Sequence, residues 1–343
     1  MNSANNSGRK SEAAAVPTPP RLYFFSSAYI TINRQGRLSK RRAEKDECIM
    51  VFINACKNAA VKIKMFGELV MFSHTLFSLP FAVISMVWAA GGWPSGHVML
   101  WGLIALIGAR NGANAFNRLV DRGFDGQNPR TAHRHLPRQL LDAKEVSLFI
   151  IFNYAVFIFA SGMLNVLCLV LSPVAIVLIS SYSYTKRFTY LSHLYLGFVI
   201  ASAPIGAWFA VTGQFAFTPF VIGTIVMLWI AGFDIIYGTQ DIEFDRRHGL
   251  WSIPSYFGLE NALKIAKGLH FIMVLLLLSL YVFRGLGWIY LAGIGIATLL
   301  LMTEHKIITP SNRRMMKLAS YNLNQVISMV ILAFTMMDFF LIK

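Results

Sequence analysis

Nine apolar stretches, each close to the ~20 residues that an α-helix needs to cross a ~30 Å hydrocarbon core, take up most of this 343-residue chain. They run roughly over 67–90, 97–119, 144–163, 165–184, 190–212, 217–238, 265–284, 286–303 and 320–342. With 56% hydrophobic residues against 14% charged, the chain reads as an all-α membrane protein of about nine transmembrane helices. Pro80, Pro173 and Pro204 fall inside spans, where a missing N–H loosens the helix around an interior space.

The formal charge of +15 would suit a nucleic-acid binder until the charges are placed. Residues 1–65 carry twelve Lys or Arg against four acids. Most other basic residues sit in loops around 118–144, 186–187, 246–267 and 306–317, each following an even-numbered span. Apart from Arg284, the alternate loops are nearly free of them, so the positive-inside rule puts the N-terminus on the cytoplasmic side. No stripe of aromatic residues runs through the basic segments, which argues against nucleic acid as a partner. Cys48, Cys56 and Cys168 have neither metal-ligand nor disulfide spacing.

Two domains are expected: a basic cytoplasmic tail over 1–64 and a transmembrane domain over 65–343. The first 45 residues mix Ser, Asn, Pro and Arg and have too little apolar surface to fold alone. They read as a disordered arm or the product of an early start codon, with an organellar transit peptide as the alternative. Residues 49–64 have the pattern of a short amphipathic helix on the membrane face, with Lys57, Lys62 and Lys64 toward anionic headgroups.

Acidic residues are few, and two groups of them stand at the ends of apolar spans. Asn117, Asp121 and Asp125 recur in steps of four in NRLVDRGFD. Asp234, Tyr237, Asp241 and Asp245 follow in DIIYGTQDIEFD. At ~100° per residue these spacings return to one helix face, and both motifs end at the cytoplasmic side. A lone DxxxD is commonly a solvated face, but two at matched helix ends with cations nearby call for another account. Carboxylates beside hydrocarbon face a cavity or a partner, and oxygen ligands on a rigid face suit Mg²⁺, which completes its shell with phosphate oxygens and water. The cations for a diphosphate are Arg130 and Arg134 in NPRTAHR, Lys186 and Arg187 in YSYTKR, and Arg246 and Arg247. Arg110 lies seven residues before Asn117 on the same face, about two turns deeper, where a guanidinium suits a planar carboxylate. Tyr182, four residues before Lys186, is either its partner or an interfacial tyrosine. His74 reads as a hydrogen-bonded interior residue, and His133, His135 and His248 as loop residues.

The ordered set NxxxDxxxD, NPRTAHR, YxxxKR and DxxYxxxDxxxD resembles the UbiA superfamily of intramembrane aromatic prenyltransferases over about residues 65–343. That resemblance implies nine helices around a central cavity, Mg²⁺ dependence, and transfer of a polyprenyl group from its diphosphate to an aromatic acid in quinone biosynthesis. It implies that Asn117, Asp121, Asp125, Asp234, Asp241 and Asp245 bind the Mg²⁺–diphosphate, with Asp121, Asp125, Asp241 and Asp245 central to catalysis. Arg130, Arg134, Tyr182, Lys186, Arg187 and Tyr237 would assist, and Arg110 would hold the acceptor. The expected location is a bacterial inner membrane with the acidic motifs facing the cytoplasm. Arg118 after Asn117 and the loop RTAHRHLP resemble the branch acting on 1,4-dihydroxy-6-naphthoate in a menaquinone route, with 4-hydroxybenzoate as the other acceptor. Alternatives are a haem- or chlorophyll-directed relative and a secondary transporter, whose charges would stand nearer span centres. Deleting residues 1–45 is expected to leave turnover in isolated membranes intact, because no candidate site residue lies there. A large loss of specific activity by an inserted truncation would place part of the site in the tail.

Overall fold

The computed structural model describes the chain from residue 50 onward except 51, 55, 58–59, 71–74, 309–321 and 343. The expectations for the first 45 residues, for Cys48, for His74 and for most of the last basic loop lie outside the described residues. Residues 64–343 form one compact unit. Among the described residues all regular structure is helical. The helices are α1 (Thr75–Ala90), α2 (Gly96–Val120), α3 (Arg122–Gln127), α4 (Ala143–Leu164), α5 (Val166–Thr185), α6 (Ser192–Thr212), α7 (Phe217–Gly238), α8 (Ile242–Arg247), α9 (Ile253–Arg284), α10 (Trp288–Ile307) and α11 (Asn324–Leu341). The described part of 50–63 is also helical, with Phe52 and Ile63 exposed.

Among the described residues, seven helices are long and apolar enough to cross a membrane: α4, α5, α6, α7 with the turns that continue it to Arg247, α9, α10 and α11. The other two expected spans are α1, described over 16 residues, and α2, whose 25 residues include Arg110, Asn111, Asn114, Asn117 and Arg118. By length and composition seven of the nine expected spans qualify among the described residues, and the polar face of α2 has another use. Helix α9 starts at Ile253, earlier than the expected 265, because Ser252 and Ser255 form a capping box with Pro254 in the first turn. Gly258, at φ +78, then interrupts it.

The core is built on α7, which is apolar all round, as a helix surrounded by protein must be. Ile225, Val226, Trp229, Ile230, Ile235 and Ile236 are fully buried. Helices α6 and α9 pack most extensively against α7, while α1 lies against α6 and α11. Ser85 of α1 donates to the Pro204 carbonyl of α6 at 2.6 Å. Helix α2 packs on α4 through Gly108 and Gly112, where a Cβ would come within 2.9 Å of the Asn153 carbonyl and 2.3 Å of the Tyr154 ring. Small residues four apart bring two helices close. With that face committed to α4, the polar face of α2 is left for the interior.

Polar groups inside the bundle pair across helices, as a low-dielectric surrounding requires. The Trp229 indole donates to Asn324 at 2.7 Å, and the Asn324 amide donates to Glu304 at 2.9 Å. Asp338 of α11, fully buried, accepts from the backbone N–H groups of Gly287 at 2.7 Å and Tyr290 at 3.0 Å, and so caps the start of α10 from another helix. Asp338→Ala leaves both N–H groups without that acceptor and is expected to cost about 1–3 kcal/mol of stability, read as a lower Tm in detergent. An unchanged Tm would mean that the cap carries no net stability.

Candidate active site

Both acidic motifs break their helices at the same place. Helix α2 ends at Val120, and Asp121 takes φ −90, ψ 4, leaving the helical region before α3 begins. In the second motif α7 ends at Gly238, a 3₁₀ turn covers Thr239–Asp241, and Asp241 takes φ −102, ψ 7 before α8. Each break is followed by a six-residue helix that carries the third acid, Asp125 in α3 and Asp245 in α8. The expectation of a continuous helix through each motif is corrected accordingly, while the members of each motif still line one cavity. The last acid of each motif is buried, with Asp125 8% exposed and Asp245 2%.

The bends frame a cavity of about 380 Å³ between the ends of α2, α5, α6 and α7. Thirteen of the fifteen residues singled out from the sequence line it: Arg110, Asn117, Asp121, Asp125, Arg130, Arg134, Tyr182, Lys186, Arg187, Asp234, Tyr237, Asp241 and Asp245. Asn128, which precedes Pro129 and is therefore held in the extended region at ψ 117, ends α3 and starts a tight turn. That turn, closed by the N–H groups of Thr131 and Ala132 on the Asn128 carbonyl, sends Arg130 across the cavity. Its guanidinium donates through Nε and Nη2 to both oxygens of Asp241, and through Nη1 to the Tyr237 hydroxyl at 2.9 Å. The Asn128 amide donates to the same carboxylate at 3.2 Å. One loop after the first motif thus grips the centre of the second.

The other acids pair in turn. Arg134 donates to Asp125 at 2.6 Å, Lys186 to Asp245 at 3.4 Å, and Arg187 to Asp121 at 3.5 Å. Asn117 also donates to Asp121, at 2.8 Å. Burial would push the Lys186 ammonium down, but the carboxylates of Asp245, Asp241 and Asp234 outweigh it and hold its pKa above the ordinary lysine value. Asp121 moves the other way for a carboxylate: burial and the charge of Asp125 raise its pKa against the pull of Arg187 and Lys186. Its burial is thus left without full compensating charge from the cations beside it.

A divalent cation would supply that charge. Asp and Asn oxygens are the hard donors that Mg²⁺ takes. Among the described residues no three His, Cys, Asp or Glu side chains converge on one point as a ready metal cage. An ion here would therefore take one or two carboxylates and complete its shell with substrate oxygens and water, which is the habit of Mg²⁺. The donor set fits on those terms.

Arg110 lines the inner part of the cavity, and its Nε is buried without a hydrogen-bond partner among the described residues. Arg246 departs from expectation: its Nε donates to the Ser255 carbonyl at 2.8 Å, and the side chain is exposed. Arg247 is exposed as well and does not line the cavity. His135 meets Glu68 at 3.1 Å and His248 its own helix at Phe244, as loop residues do. Three partners were not read from the sequence. They are Asn128; Ser252, which donates to Asp245 at 2.9 Å; and His193, 2.7 Å from Asp234. Only Asn128 had a local signal, the proline after it.

The comparisons with known proteins agree with this geometry. A profile of the UbiA prenyltransferase family matches residues 78–326. A 4-hydroxybenzoate octaprenyltransferase of Vibrio parahaemolyticus is 30% identical over 277 residues, covering 80% of this chain and 96% of the relative. One from Vibrio campbellii is 29% identical, over 78% and 95%. Among solved structures, the apo form of a UbiA homologue from Aeropyrum pernix superposes with a TM-score of 0.71 at 30% identity, over 78% of this chain and 98% of that one. A UbiA homologue from Archaeoglobus fulgidus, described as bound to DMAPP and Mg²⁺, shares the fold at a TM-score of 0.56 and 19% identity, over 78% and 99%. A multi-pass helical membrane domain, two facing acidic motifs in one cavity and this match agree, and the chain belongs to the UbiA prenyltransferase family.

Proposed function

We propose that the protein transfers a polyprenyl group from its diphosphate to the ring of an aromatic acid, 4-hydroxybenzoate or 1,4-dihydroxy-6-naphthoate, with Mg²⁺ as cofactor. The observation that carries the reading is the cross-cavity grip of Arg130 on Asp241, with carboxylates and cations alternating around it. The names of the Vibrio relatives support 4-hydroxybenzoate, whereas Arg118 and RTAHRHLP support the naphthoate. The proposed setting is a bacterial inner membrane with this end of the bundle toward the cytoplasm. Family membership leaves the transporter reading without support.

In this reading Asp121, Asp125, Asp241 and Asp245, with Asn117 and Asp234, hold the Mg²⁺–diphosphate. Mg²⁺ bound there neutralises charge on the leaving diphosphate. Arg130, Arg134, Lys186 and Arg187 turn from the acids to phosphate oxygens, with Tyr182 and Tyr237 as hydroxyl donors, and stabilise the negative charge that grows as the allylic C–O bond breaks. The electron pair leaves with the diphosphate. The allylic cation is attacked by an electron-rich ring carbon, a C–C bond forms, and the ring loses a proton to one of the Asp carboxylates. Apolar walls from Leu196, Ile200 and Phe233 keep out the water that would quench the cation. The Arg110 guanidinium, deeper in the cavity, pairs with the acceptor's carboxylate.

Asp121→Ala and Asp241→Ala are each expected to lower turnover by ~10³-fold or more while leaving the protein inserted, since each removes an ion ligand rather than a packing contact. Chelation of divalent ions should act in the same way on the intact protein. Near-normal turnover at matched membrane levels would overturn the metal reading. Arg110→Ala should raise the KM for the aromatic acid by roughly 30- to 150-fold, from the loss of about 2–3 kcal/mol in a charge-assisted contact, and leave the KM for the diphosphate nearly unchanged. Arg110→Lys should recover part of it. An unchanged acceptor KM with weaker diphosphate binding would move Arg110 into the phosphate shell. Running the assay with each acceptor in turn decides between benzoate and naphthoate.

A further inference from the structure

Asp121, Asp125, Asp241 and Asp245 all meet an arginine or lysine, and Asp234 meets an imidazole instead. His193 Nδ1 lies 2.7 Å from Asp234 Oδ2. A carboxylate can only accept, so Nδ1 donates the proton. Asp234 Oδ1 makes no hydrogen bond among the described residues, and the side chain, 20% exposed, lines the cavity. One oxygen is therefore tied and the other is open.

The ring that ties it is held from several sides. His193 sits in the first turn of α6, is 1% exposed, and its Nε2 is buried with no hydrogen-bond partner among the described residues. It lies against Gly238, one helical turn beyond Asp234 on α7. A Cβ at that position would stand 2.8 Å from the ring Cε1 and 3.3 Å from Nε2, with Pro254 of α9 at 3.6 Å. Three helices thus meet at a seat that exists because position 238 has no side chain. Leaving a buried ring nitrogen unpaired costs stability, and an apolar residue would fill the same space without that penalty. The cost is understandable if the Nδ1–H contact has a use beyond packing.

We propose that His193 is a positioning residue for the diphosphate site: by holding Oδ2 it fixes the Asp234 carboxylate and leaves Oδ1 as the oxygen presented to the Mg²⁺–diphosphate. This role rests on the diphosphate reading given above. It is the relation by which a neighbouring group orients a ligating carboxylate, and removing such a partner typically costs about 10- to 100-fold in metal affinity.

The test measures binding of an unreactive prenyl thiolodiphosphate to the full chain in detergent at increasing Mg²⁺, for the wild-type protein, His193→Leu, His193→Asn, Asp234→Ala and the His193→Leu/Asp234→Ala double variant. His193→Leu should raise the Mg²⁺ concentration for half-maximal binding by about tenfold. His193→Asn, whose amide N–H can stand in for Nδ1–H, should recover most of the loss, and the double variant should be no worse than Asp234→Ala alone. Gly238→Ala, which displaces the ring without removing it, should resemble His193→Leu and serves in its place if the leucine variant fails to fold. Wild-type Mg²⁺ dependence in His193→Leu, equal losses in the leucine and asparagine variants, or additive losses in the double variant would each overturn the role of His193. Absence of Mg²⁺-dependent binding by the wild-type protein would remove the diphosphate reading itself, and this role with it.

Discussion

A charge near hydrocarbon must be paired, and that constraint organises this molecule. Asp121, Asp125, Asp234, Asp241 and Asp245 stand at the ends of membrane-length helices, and each meets a cation or an imidazole. Apart from Arg134–Asp125, the pairs run between elements far apart in sequence, so meeting the electrostatic demand also ties distant helices together. The Arg130–Asp241 contact joins the loop after α3 to the turn after α7, and the Lys186–Asp245 contact joins the end of α5 to α8. Removing one partner from such a set leaves an uncompensated charge, which costs far more than the pair contributes.

The same pairing prepares the site for an anion. In the structure the arginines and Lys186 are donors to carboxylates. In the proposed reaction those carboxylates would hold a divalent cation, and the arginines and Lys186 would donate to a diphosphate. The raised pKa of Asp121 marks a buried acid whose neighbouring cations do not fully offset its desolvation and the charge of Asp125. The matched breaks at Asp121 and Asp241 give the two motifs one local geometry, which answers in structure what the sequence hinted at only through the placement of its acids.

Much of this was legible in the chain itself. The apolar runs announced a bundle of membrane-length helices because length and hydropathy are local properties, and the acidic residues stood out because they are few. Thirteen of the fifteen residues singled out line one cavity. What spacing could not supply was the breaks and the partners. Four-residue steps fit a continuous helix, yet Asp121 and Asp241 leave the helical region. Arg246, adjacent to Asp245, looked like a phosphate ligand but is turned to Ser255, because neighbours on a helix point about 100° apart. His193 is 41 residues from Asp234, and no local pattern links them. The early start of α9 was hidden because 253–264 is too polar to read as a span, although Ser252, Pro254 and Ser255 form a helix start.

The central claim is that the two motifs together hold divalent ions over a diphosphate. The most direct measurement replaces Mg²⁺ with Mn²⁺ and records the electron paramagnetic resonance spectrum of the detergent-solubilised protein before and after adding a prenyl thiolodiphosphate. The account predicts loss of the free Mn²⁺ signal and a broadened spectrum of protein-bound Mn²⁺ only when the diphosphate is present, because among the described residues the carboxylates alone do not form a cage. A spectrum of free Mn²⁺ that the diphosphate leaves unchanged would contradict it.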